Sequence, residues 1–423
     1  MKMWETKNLG DVCYLVGGGT PSKSNKEFYT GDIFWATVRD MKNEIISQTE
    51  CKITEEAVKN SSTNVIPKGN VVIATRVGLG KVCLLAQDTA INQDLRSIIP
   101  KDTNKIKVKY LFYWLKSISH LIVKAGTGAT VQGVKVPFLQ SLQIPLPPLP
   151  EQKRIVAILD EAFEGIDAAI ANTEKNLANA RELFESYLNG VFTRKGEGWV
   201  ESTVENLVKE KILEKPLDGN HGEIHPKKAD FVKMGVPFIM ASDLVNGTVN
   251  QTNCNFISEK QAGCLRKGFA KNGDVLLSHK GTIGRSAILE TGGDYVVLTP
   301  QVTYYRILNK KHLYNRYLYY FFRGSEFQQQ ITKIASSGST RAYIGITKQL
   351  ELKIAYPPID TQKHYAENFD SLILETQRLE SIYQRKLEAL KELKQSILEK
   401  AFTGELTGDV AKEVAETSKE IAA

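Results

Sequence analysis

The sequence predicts an α+β protein: two repeated, mixed α/β domains, each followed by a long helix, with the two helices pairing as an antiparallel coiled coil. Three observations support this prediction. The chain repeats itself at an offset of 210 residues, short β-rich runs alternate with helical patches in each copy, and an apolar stripe of helical period follows each copy. With 423 residues and 42% apolar content, the chain can bury the cores of such domains.

The repeat is clearest where a proline-rich run meets a helical pattern. PPLPEQKRIVAILDEAF at 147–163 aligns with PPIDTQKHYAENFDSLI at 357–373, and upstream GNVVIATRVGLGK at 69–81 resembles GDVLLSHKGTIGR at 273–285. The prolines alone would suit an extended ligand for an SH3-type partner. Their recurrence favours a structural joint instead, because proline tolerates a strand end and prevents early helix formation.

The globular domains are predicted at residues 1–149 and 196–357. Their β-rich runs include VVIAT at 71–75, DVLLSHK at 274–280 and YVVLTPQVTYYRI at 295–307, and KYLFYWLKSISHLIV at 109–123 is a helical patch. Runs of both kinds, separated by glycine-rich loops, indicate a mixed α/β domain with a twisted sheet.

The helical regions are predicted at residues 150–195 and 358–404, before a charged flexible tail at 405–423. Apolar residues recur at three- and four-residue spacing from Ile155 to Phe192 and from Phe369 to Ala401. A helix of this kind, roughly 60 Å long at 1.5 Å per residue, needs a partner for its apolar stripe. The single chain carries two similar stripes, which favours an antiparallel intramolecular pair over a parallel intermolecular coiled coil.

Positive charge is concentrated on the globular domains. Residues 1–150 hold 19 Lys and Arg against 12 Asp and Glu, and residues 196–356 hold 21 against 15, whereas 151–195 and 357–423 are both net acidic. Two basic domains joined by acidic helices indicate a polyanion bound at two places, with a lysine-rich solvated surface as the alternative.

Several motifs are better explained by structure than by chemistry. TRVGLGK at 75–81 lacks the spacing of a phosphate-binding loop, and AYPPID at 355–360 has Tyr356 where an amino-methyltransferase motif needs Asn or Asp. HGEIH at 221–225 offers two histidines for zinc but no third ligand. The five dispersed cysteines suggest reduced thiols, and without a signal or spanning segment we expect no membrane association and a cytoplasmic location.

Basic and amide side chains in or near the loops are the candidates for DNA contact. Arg and Lys can read guanine or grip phosphate, and Asn and Gln can pair with adenine. The candidates are Lys23, Arg39, Arg76, Lys81, Asn92, Gln93, Arg96 and Lys135 in the first domain, and Lys227, Lys228, Lys280, Arg285, Gln301, Arg341 and Tyr343 in the second, with Arg306 on the same grounds.

The pattern resembles the specificity subunit of type I restriction-modification systems. The resemblance covers nearly the whole chain and is carried by GGGTPSKSN and GDIFWATVRDM within 17–41, INQDL at 91–95, and IPLPPLPEQKRIVAILD at 144–160 with its second copy at 354–370. The second copy departs from the family pattern, since TQKHYAENFD replaces the EQKRI-containing segment.

The resemblance implies a non-catalytic subunit that recognises double-stranded DNA. Each globular domain would be a target-recognition domain for one half of a bipartite asymmetric site, and the helices would set the spacer. Two methylation subunits and the restriction subunits would be its partners, and S-adenosylmethionine, ATP and magnesium would bind to those partners and not to this chain. The alternatives are a stand-alone DNA methyltransferase or nuclease, and a coiled-coil scaffold.

Overall fold

A computed structural model describes residues 4–128, 133–335 and 343–406. It divides into two compact units, Met1–Lys175 with Tyr383–Ala423, and Asn176–Ile382. Both units are mixed α/β, which confirms the predicted class and its two-copy organisation. The long helices contribute residues to both units, so the compact units differ from contiguous stretches of sequence. Within the described residues, no helix has the length and apolar character needed to cross a membrane.

Among the described residues, the first unit contains three sheets, and the largest of them has the strand order β2-β10-β7-β8-β4. A four-stranded sheet has the order β5-β3-β9-β6, and β1 pairs with β11. The strands are β1 Thr6–Asn8, β2 Cys13–Gly17, β3 Ile33–Ala36, β4 Ile45–Ile46, β5 Cys51–Ile53, β6 Asn64–Ile66, β7 Val71–Ala74, β8 Val82–Leu85, β9 Thr89–Ile91, β10 Leu95–Pro100 and β11 Gln143–Pro145.

Helices cover the core of this unit. The predicted helical patch at 109–123 forms two helices, α3 and α4, which meet at Ile118. Six consecutive residues of α3, from Tyr110 to Leu115, are buried, and they pack with Ile155 and Leu159 of α6 in one apolar cluster. The helices are α1 Leu9–Val12, α2 Glu55–Lys59, α3 Val108–Ser117, α4 Ser119–Lys124, α5 Val136–Ser141 and the long α6 Leu149–Arg194.

The second unit has a six-stranded sheet in the order β13-β23-β20-β21-β17-β16 and a five-stranded sheet in the order β14-β18-β15-β22-β19. A third sheet pairs β12 with β24. The strands are β12 Val200–Thr203, β13 Leu217–Asp218, β14 Phe231–Val232, β15 Val236–Ile239, β16 Leu244–Val245, β17 Thr248–Val249, β18 Asn255–Ile257, β19 Phe269–Ala270, β20 Val275–Ser278, β21 Ser286–Ile288, β22 Val296–Leu298, β23 Val302–Tyr305 and β24 Lys353–Tyr356.

The helices of the second unit occupy places similar to those of the first. Helix α9 matches α3, and its buried aromatic residues pack with Phe184 and Phe192 of α6 and with Phe369 of α12. The β-rich run at 295–307 forms two strands in different sheets, β22 and β23, because the chain leaves one sheet at Thr299 and enters the other at Val302. The helices are α7 Val204–Lys209, α8 Glu259–Gly263, α9 Asn315–Arg323, α10 Ser325–Ala335, α11 Ile346–Leu350 and the long α12 Ile359–Thr403.

The proline-to-helix joint has the same construction in both units. Gln152 is fully buried, and its amide nitrogen donates to the carbonyls of Lys105 (2.8 Å) and Pro147 (2.9 Å) while its oxygen accepts from the Lys107 N–H (3.0 Å). Gln362 makes three corresponding bonds, to the carbonyls of His312 and Pro357 and from the N–H of Tyr314. The recurring glutamine therefore fastens the start of a long helix to the loop before α3 or α9.

A second fastening lies two turns further along each long helix. Asp160 accepts from Tyr113 (2.6 Å) and Lys109 (2.7 Å) of α3, and Asp370 accepts from Tyr320 and Arg316 of α9. Burial, together with the neighbouring carboxylate, raises the pKa of Tyr113 well above its usual range, so its hydroxyl acts as a donor. Each long helix is thus fixed at its first turns to the globular domain that precedes it.

Candidate nucleic-acid interface

Equivalent backbone hydrogen bonds show that the two units present the same loop framework. The N–H of Ala74 bonds the Lys81 carbonyl (2.9 Å), as that of Ser278 bonds the Arg285 carbonyl (2.8 Å). In the first unit the N–H of Thr75 donates to the Asp94 carbonyl (2.8 Å), and the Thr75 carbonyl accepts from the Val134 N–H (2.9 Å). In the second unit the N–H of His279 donates to the Gln301 carbonyl (2.9 Å), and the His279 carbonyl accepts from the Ile344 N–H (3.0 Å). Arg76 and Lys280 therefore occupy equivalent positions, as do Asp94 and Gln301.

A close approach at a glycine fixes the next loop in each framework. Any Cβ at Gly18 would collide with the carbonyl oxygen of Ile91, and one at Gly219 would collide with that of Leu298. Glycine is needed at both positions because the backbone of the loop lies against the end of β9 or β22. We call the loops gathered here, at residues 17–23, 75–81, 92–94 and 133–135, the first loop cluster, and those at 218–228, 279–285, 299–301 and 343–345 the second loop cluster.

The first loop cluster is an exposed, polar edge. Arg76 is exposed and its Nη1 lies 3.7 Å from Asp94 Oδ1, and the exposed Gln93 accepts a hydrogen bond from Thr20. Arg96 lies on β10 beside Gly17, and burial lowers the pKa of its guanidinium, which nevertheless stays charged at neutral pH. This edge presents both charged and amide groups.

Asn92 lies below that edge. It is 5% exposed, its amide nitrogen donates to Asp94 (3.0 Å), and its oxygen accepts from the Asp94 N–H (3.2 Å). This amide orders the loop that carries Gln93 and Asp94. The described geometry thus gives Asn92 an internal role.

The remaining candidates of the first domain are exposed around this edge. Lys23 lies in the loop after β2, Arg39 in a short 3-10 turn after β3, and Lys135 immediately before α5. Lys81 ends the turn that begins at Arg76, and its Nζ lies 3.4 Å from the Met41 carbonyl.

The second loop cluster surrounds a pocket of about 320 Å³. Lys280, Gln301, Thr299 and two histidines, His221 and His225, line it together with Phe231 and Phe238. Tyr343 pairs with Lys280 through a β-bridge, and the Lys280 Nζ lies 5.7 Å from the centre of the Tyr343 ring. The structure therefore brings Lys280, Gln301 and Tyr343 together, as candidates from distant parts of the sequence.

Histidines and an aspartate add polar groups that the sequence did not single out for DNA. Asp218 accepts from His221 (2.7 Å) and pairs with Lys267. Burial acts to raise the pKa of Asp218, but the hydrogen bonds from Lys267 and His221 outweigh it, and the pKa is lowered. The alignment of Gly219 with Gly18 is the feature of the sequence that could have identified these residues, because it places Asp218 and His221 at the loop edge.

Buried polar atoms lie in the lining of the same pocket, at His225 and Thr299, and at His279, which precedes the lining residue Lys280. Within the described ranges, His225 Nδ1, His279 Nε2 and Thr299 Oγ1 are buried without a hydrogen-bond partner. Burial lowers the pKa of His225 and of His279, so both rings are neutral at pH 7. Lys227 and Lys228 follow the pocket residue Pro226 and are exposed.

Arg285 and Arg306 lie apart from this pocket. Arg285 is exposed at the end of the turn that begins at Lys280, and Arg341 lies outside the described residues. The expectation for Arg306 is wrong: its guanidinium donates to Asp274 (2.8 and 3.0 Å), Glu214 (2.9 Å) and the Phe269 carbonyl (2.8 Å). Those internal bonds leave Arg306 no role at the surface.

The features proposed for other chemistry have structural roles. Tyr356 ends β24, and the Pro357 carbonyl accepts from Gln362 in the joint. His221 bonds Asp218, and in the described part of the chain no group of three His, Cys, Asp or Glu side chains is placed to hold a metal. Cys13, Cys83 and Cys254 are buried thiols, whereas Cys51 and Cys264 are exposed.

Comparison with known proteins agrees with this architecture. The family model described as the type I restriction modification DNA specificity domain matches residues 1–179 and 202–389. The type I restriction enzyme MjaIX specificity subunit of Methanocaldococcus jannaschii is 26% identical in an alignment of 422 residues that covers 96% of this chain and 94% of the relative. The EcoR124I/EcoR124II specificity subunit of Escherichia coli is 36% identical over 197 residues, 43% of this chain and 48% of the relative.

Solved structures have the same fold. The HsdS subunit from Thermoanaerobacter tengcongensis superposes with a TM-score of 0.60 at 18% identity, covering 96% of this chain and 98% of that one. A chain from a study of complex assembly and conformational transition of the type I R-M system gives a TM-score of 0.75 at 20% identity, covering 96% and 99%. The chain therefore belongs to the type I restriction-modification DNA specificity family, as a specificity subunit with two DNA specificity domains.

Proposed function

We propose that each loop cluster reads one half of a bipartite, asymmetric DNA site. The observation that carries this proposal is the shared loop framework with different side chains at equivalent positions. Arg76 corresponds to Lys280 and Asp94 to Gln301, so the donors and acceptors offered to base edges differ between the clusters. Since base edges are distinguished by their donor and acceptor patterns, two such clusters would read two different sequences.

The proposed contacts divide by their place in the loops. Arg76, Gln93, Lys280, Gln301 and Tyr343 lie at the loop edges and are the proposed base readers. Asn92 positions its loop. The proposed contacts to phosphate and sugar are Lys23, Arg39, Lys81, Arg96, Lys135, Lys227, Lys228 and Arg285, and Arg341 is added from sequence alone.

The test combines mapping with a domain exchange. Sequencing that detects methylated adenines in the source organism would give the recognised site, and residues 1–145 would then be replaced by those of a relative with another site. We expect one half of the methylated sequence to change and the other to stay. A change in both halves would contradict the assignment of one half to each domain.

The long helices are proposed to pair in antiparallel fashion and to set the length of the unread spacer. Contacts inside the second unit support this pairing. Arg181 of α6 bonds Glu380 of α12 (2.9 Å), and further along α6 the Tyr187 ring lies 5.6 Å from that of Phe369. Residues further along α6 thus contact residues earlier in α12, as expected for an antiparallel pair. Inside the first unit, Lys394 of α12 bonds Asp167 of α6 (2.7 Å).

The proposal includes partners and excludes chemistry in this chain. Two methylation subunits would dock along the helices and domains, restriction subunits would join them, and S-adenosylmethionine, ATP and magnesium would bind to those subunits in the cytoplasm. Incubating the purified chain with labelled S-adenosylmethionine and DNA tests the enzymatic alternative, since methyl transfer by the lone chain would contradict the proposal. Sedimentation of the chain without partners tests the parallel intermolecular coiled coil, which requires a dimer.

A further inference from the structure

Each unit contains a cleft lined by basic residues where a globular domain meets the long helices. In the first unit a cleft of about 320 Å³ is lined by Gly80, Lys81, Val82, Lys116, Ser119, Lys391, Lys394, Gln395 and Leu398. In the second unit a larger cleft of about 820 Å³ is lined in part by Gly284, Arg285, Ser286, Arg323, Arg181, Phe184 and Glu185. We call these the first and second basic clefts.

The two clefts are copies of one construction. Both are lined by the turn after β7 or β20 and by the last turn of α3 or α9. Residues of α12 complete the first cleft, whereas residues of both α6 and α12 complete the second. Lys81 corresponds to Arg285 in the shared turn, and Lys116 corresponds to Arg323 in the aligned helices α3 and α9. Lys391 of α12 corresponds to Arg181 of α6 at the 210-residue offset of the long helices. Basic side chains thus occupy the same three positions twice, although the surrounding sequence differs.

Ion pairs neutralise part of this charge and leave the rest. In the first cleft, Glu44 pairs with Lys116 and with Lys394 (3.6 Å), and Asp167 pairs with Lys394 (2.7 Å). In the second cleft, Arg181 pairs with Glu380 (2.9 Å) and Arg323 with Glu185 (3.5 Å). Lys81, Lys391 and Arg285 are exposed and have no ion pair with any described residue. Both clefts therefore keep net positive charge.

The second cleft also holds an unused hydrogen-bond donor. Ser286 lines it and is 8% exposed, and its Oγ has no partner among the described residues. A buried hydroxyl without a partner is costly, and an anion oxygen beside Arg285 would satisfy it. The first cleft has Val82 at this position, so the hydroxyl is particular to the second unit.

One turn of the chain connects each loop cluster to the basic cleft of the same unit. Arg76 begins the turn at the first loop cluster and Lys81 ends it at the first cleft, and Lys280 and Arg285 do the same in the second unit. A tight glycine with positive φ precedes the cleft residue in both turns, Gly80 at +83° and Gly284 at +88°. Each basic cleft therefore adjoins the proposed base-reading edge, on the side of the long helices.

We propose that each basic cleft binds backbone phosphate of the unread spacer DNA next to its half-site. This inference rests on the proposed function. Lys81 and Lys391 would hold phosphate in the first cleft, and Arg285 with Ser286 would hold it in the second. These contacts are independent of base sequence and add affinity that depends on salt concentration.

The test uses the full chain assembled with its methylation subunits and measures binding to a duplex that carries the mapped site, from 50 to 200 mM KCl. Lys81→Gln with Lys391→Gln removes two charges, so the slope of log affinity against log salt should become shallower by about 1.8. The ratio of wild-type to variant affinity should then fall about 12-fold across that range. Arg285→Gln should change the slope by about half as much.

A neutral duplex and a control variant locate the contact. With methylphosphonates in place of the spacer phosphates, wild type and double variant should bind alike. Lys105→Gln, an exposed lysine before the opposite end of α3, should leave the slope unchanged.

Three results would overturn the proposal: a wild-type slope in the double variant, a loss that persists on the neutral duplex, or weakened binding of the methylation subunits without DNA. The last result would assign the clefts to a protein carboxylate. A failure of the proposed function would look different, because the wild-type complex itself would then show no bipartite methylated site.

Discussion

Replacing Gln152 by alanine should loosen the junction between the first globular domain and α6. The substitution removes three hydrogen bonds from a fully buried side chain and leaves the N–H of Lys107 and two carbonyls without that partner. At about 1 kcal/mol for each bond, the free energy of unfolding of this junction should fall by roughly 3 kcal/mol. Gln362→Ala should do the same in the second unit, where Gln362 makes an equal set of bonds.

Hydrogen–deuterium exchange followed by mass spectrometry measures this effect locally. A loss of about 3 kcal/mol corresponds to roughly 100-fold faster exchange for amides that exchange by opening of the junction. Peptides covering residues 105–115 and 150–160 should show it in Gln152→Ala, and peptides covering 314–323 and 360–370 should show it in Gln362→Ala. The matched control is Lys153→Ala, whose side chain is exposed next to Gln152 and should change exchange little. Equal exchange in Gln152→Ala and Lys153→Ala would refute the structural role given to the glutamine.

Three further changes test other parts of the structure. Tyr113→Phe removes the hydroxyl bonded to Asp160 and should lower the free energy of unfolding by about 1 kcal/mol in urea denaturation, with the exposed Tyr14→Phe unaffected. Gly190→Ala places a Cβ in open space within α6 and should stabilise the protein by about 0.5–1 kcal/mol. Gly219→Ala should destabilise it by about 1–3 kcal/mol, because the new Cβ would meet the Leu298 carbonyl. If thermal unfolding showed Gly219→Ala to be the more stable of the two variants, the close approach at Gly219 would be contradicted. Burial lowers the pKa of His279 in the folded protein, so the unfolded chain binds this proton at a higher pH than the folded protein does. The free energy of unfolding should therefore fall as pH drops below about 6.5, and His279→Asn should make that fall shallower between pH 7 and 5. An unchanged slope in the variant would assign the pH dependence of stability to other groups.

The parts of the fold that the sequence predicts are those with a local cause. The joint is predictable because proline and a helix start leave a pattern within a few residues, and the repeat of that pattern identifies the second copy. Even so, the alignment of Gln152 with Gln362 does not reveal their bonding partners, the loops before α3 and α9, which lie 45 to 50 residues earlier in the chain. Those partners are set by tertiary packing.

The candidate site was less predictable for the same reason. Basic residues near glycine-rich loops are visible in sequence, but whether they are free depends on distant carboxylates. Arg306 and Lys280 looked alike, yet Asp274 and Glu214 hold Arg306 inside the domain, while Lys280 meets Tyr343 at an open pocket. His221 was visible as part of a histidine pair, and its partner Asp218 became significant through the alignment of the two glycine turns.

The distribution of differences between the two units is itself informative about function. The residues that fasten the fold have the same chemistry in both copies: glycine at 18 and 219, glutamine at 152 and 362, and aspartate at 160 and 370. The residues at the loop edge differ in charge and size, since Asp94 is replaced by Gln301 and Gly133 by Tyr343. A scaffold that served only to hold the helices would have no use for such differences in charge and size at the loop edge. Two readers of different DNA sequences require it, because an unchanged framework must present different donors and acceptors to the base pairs.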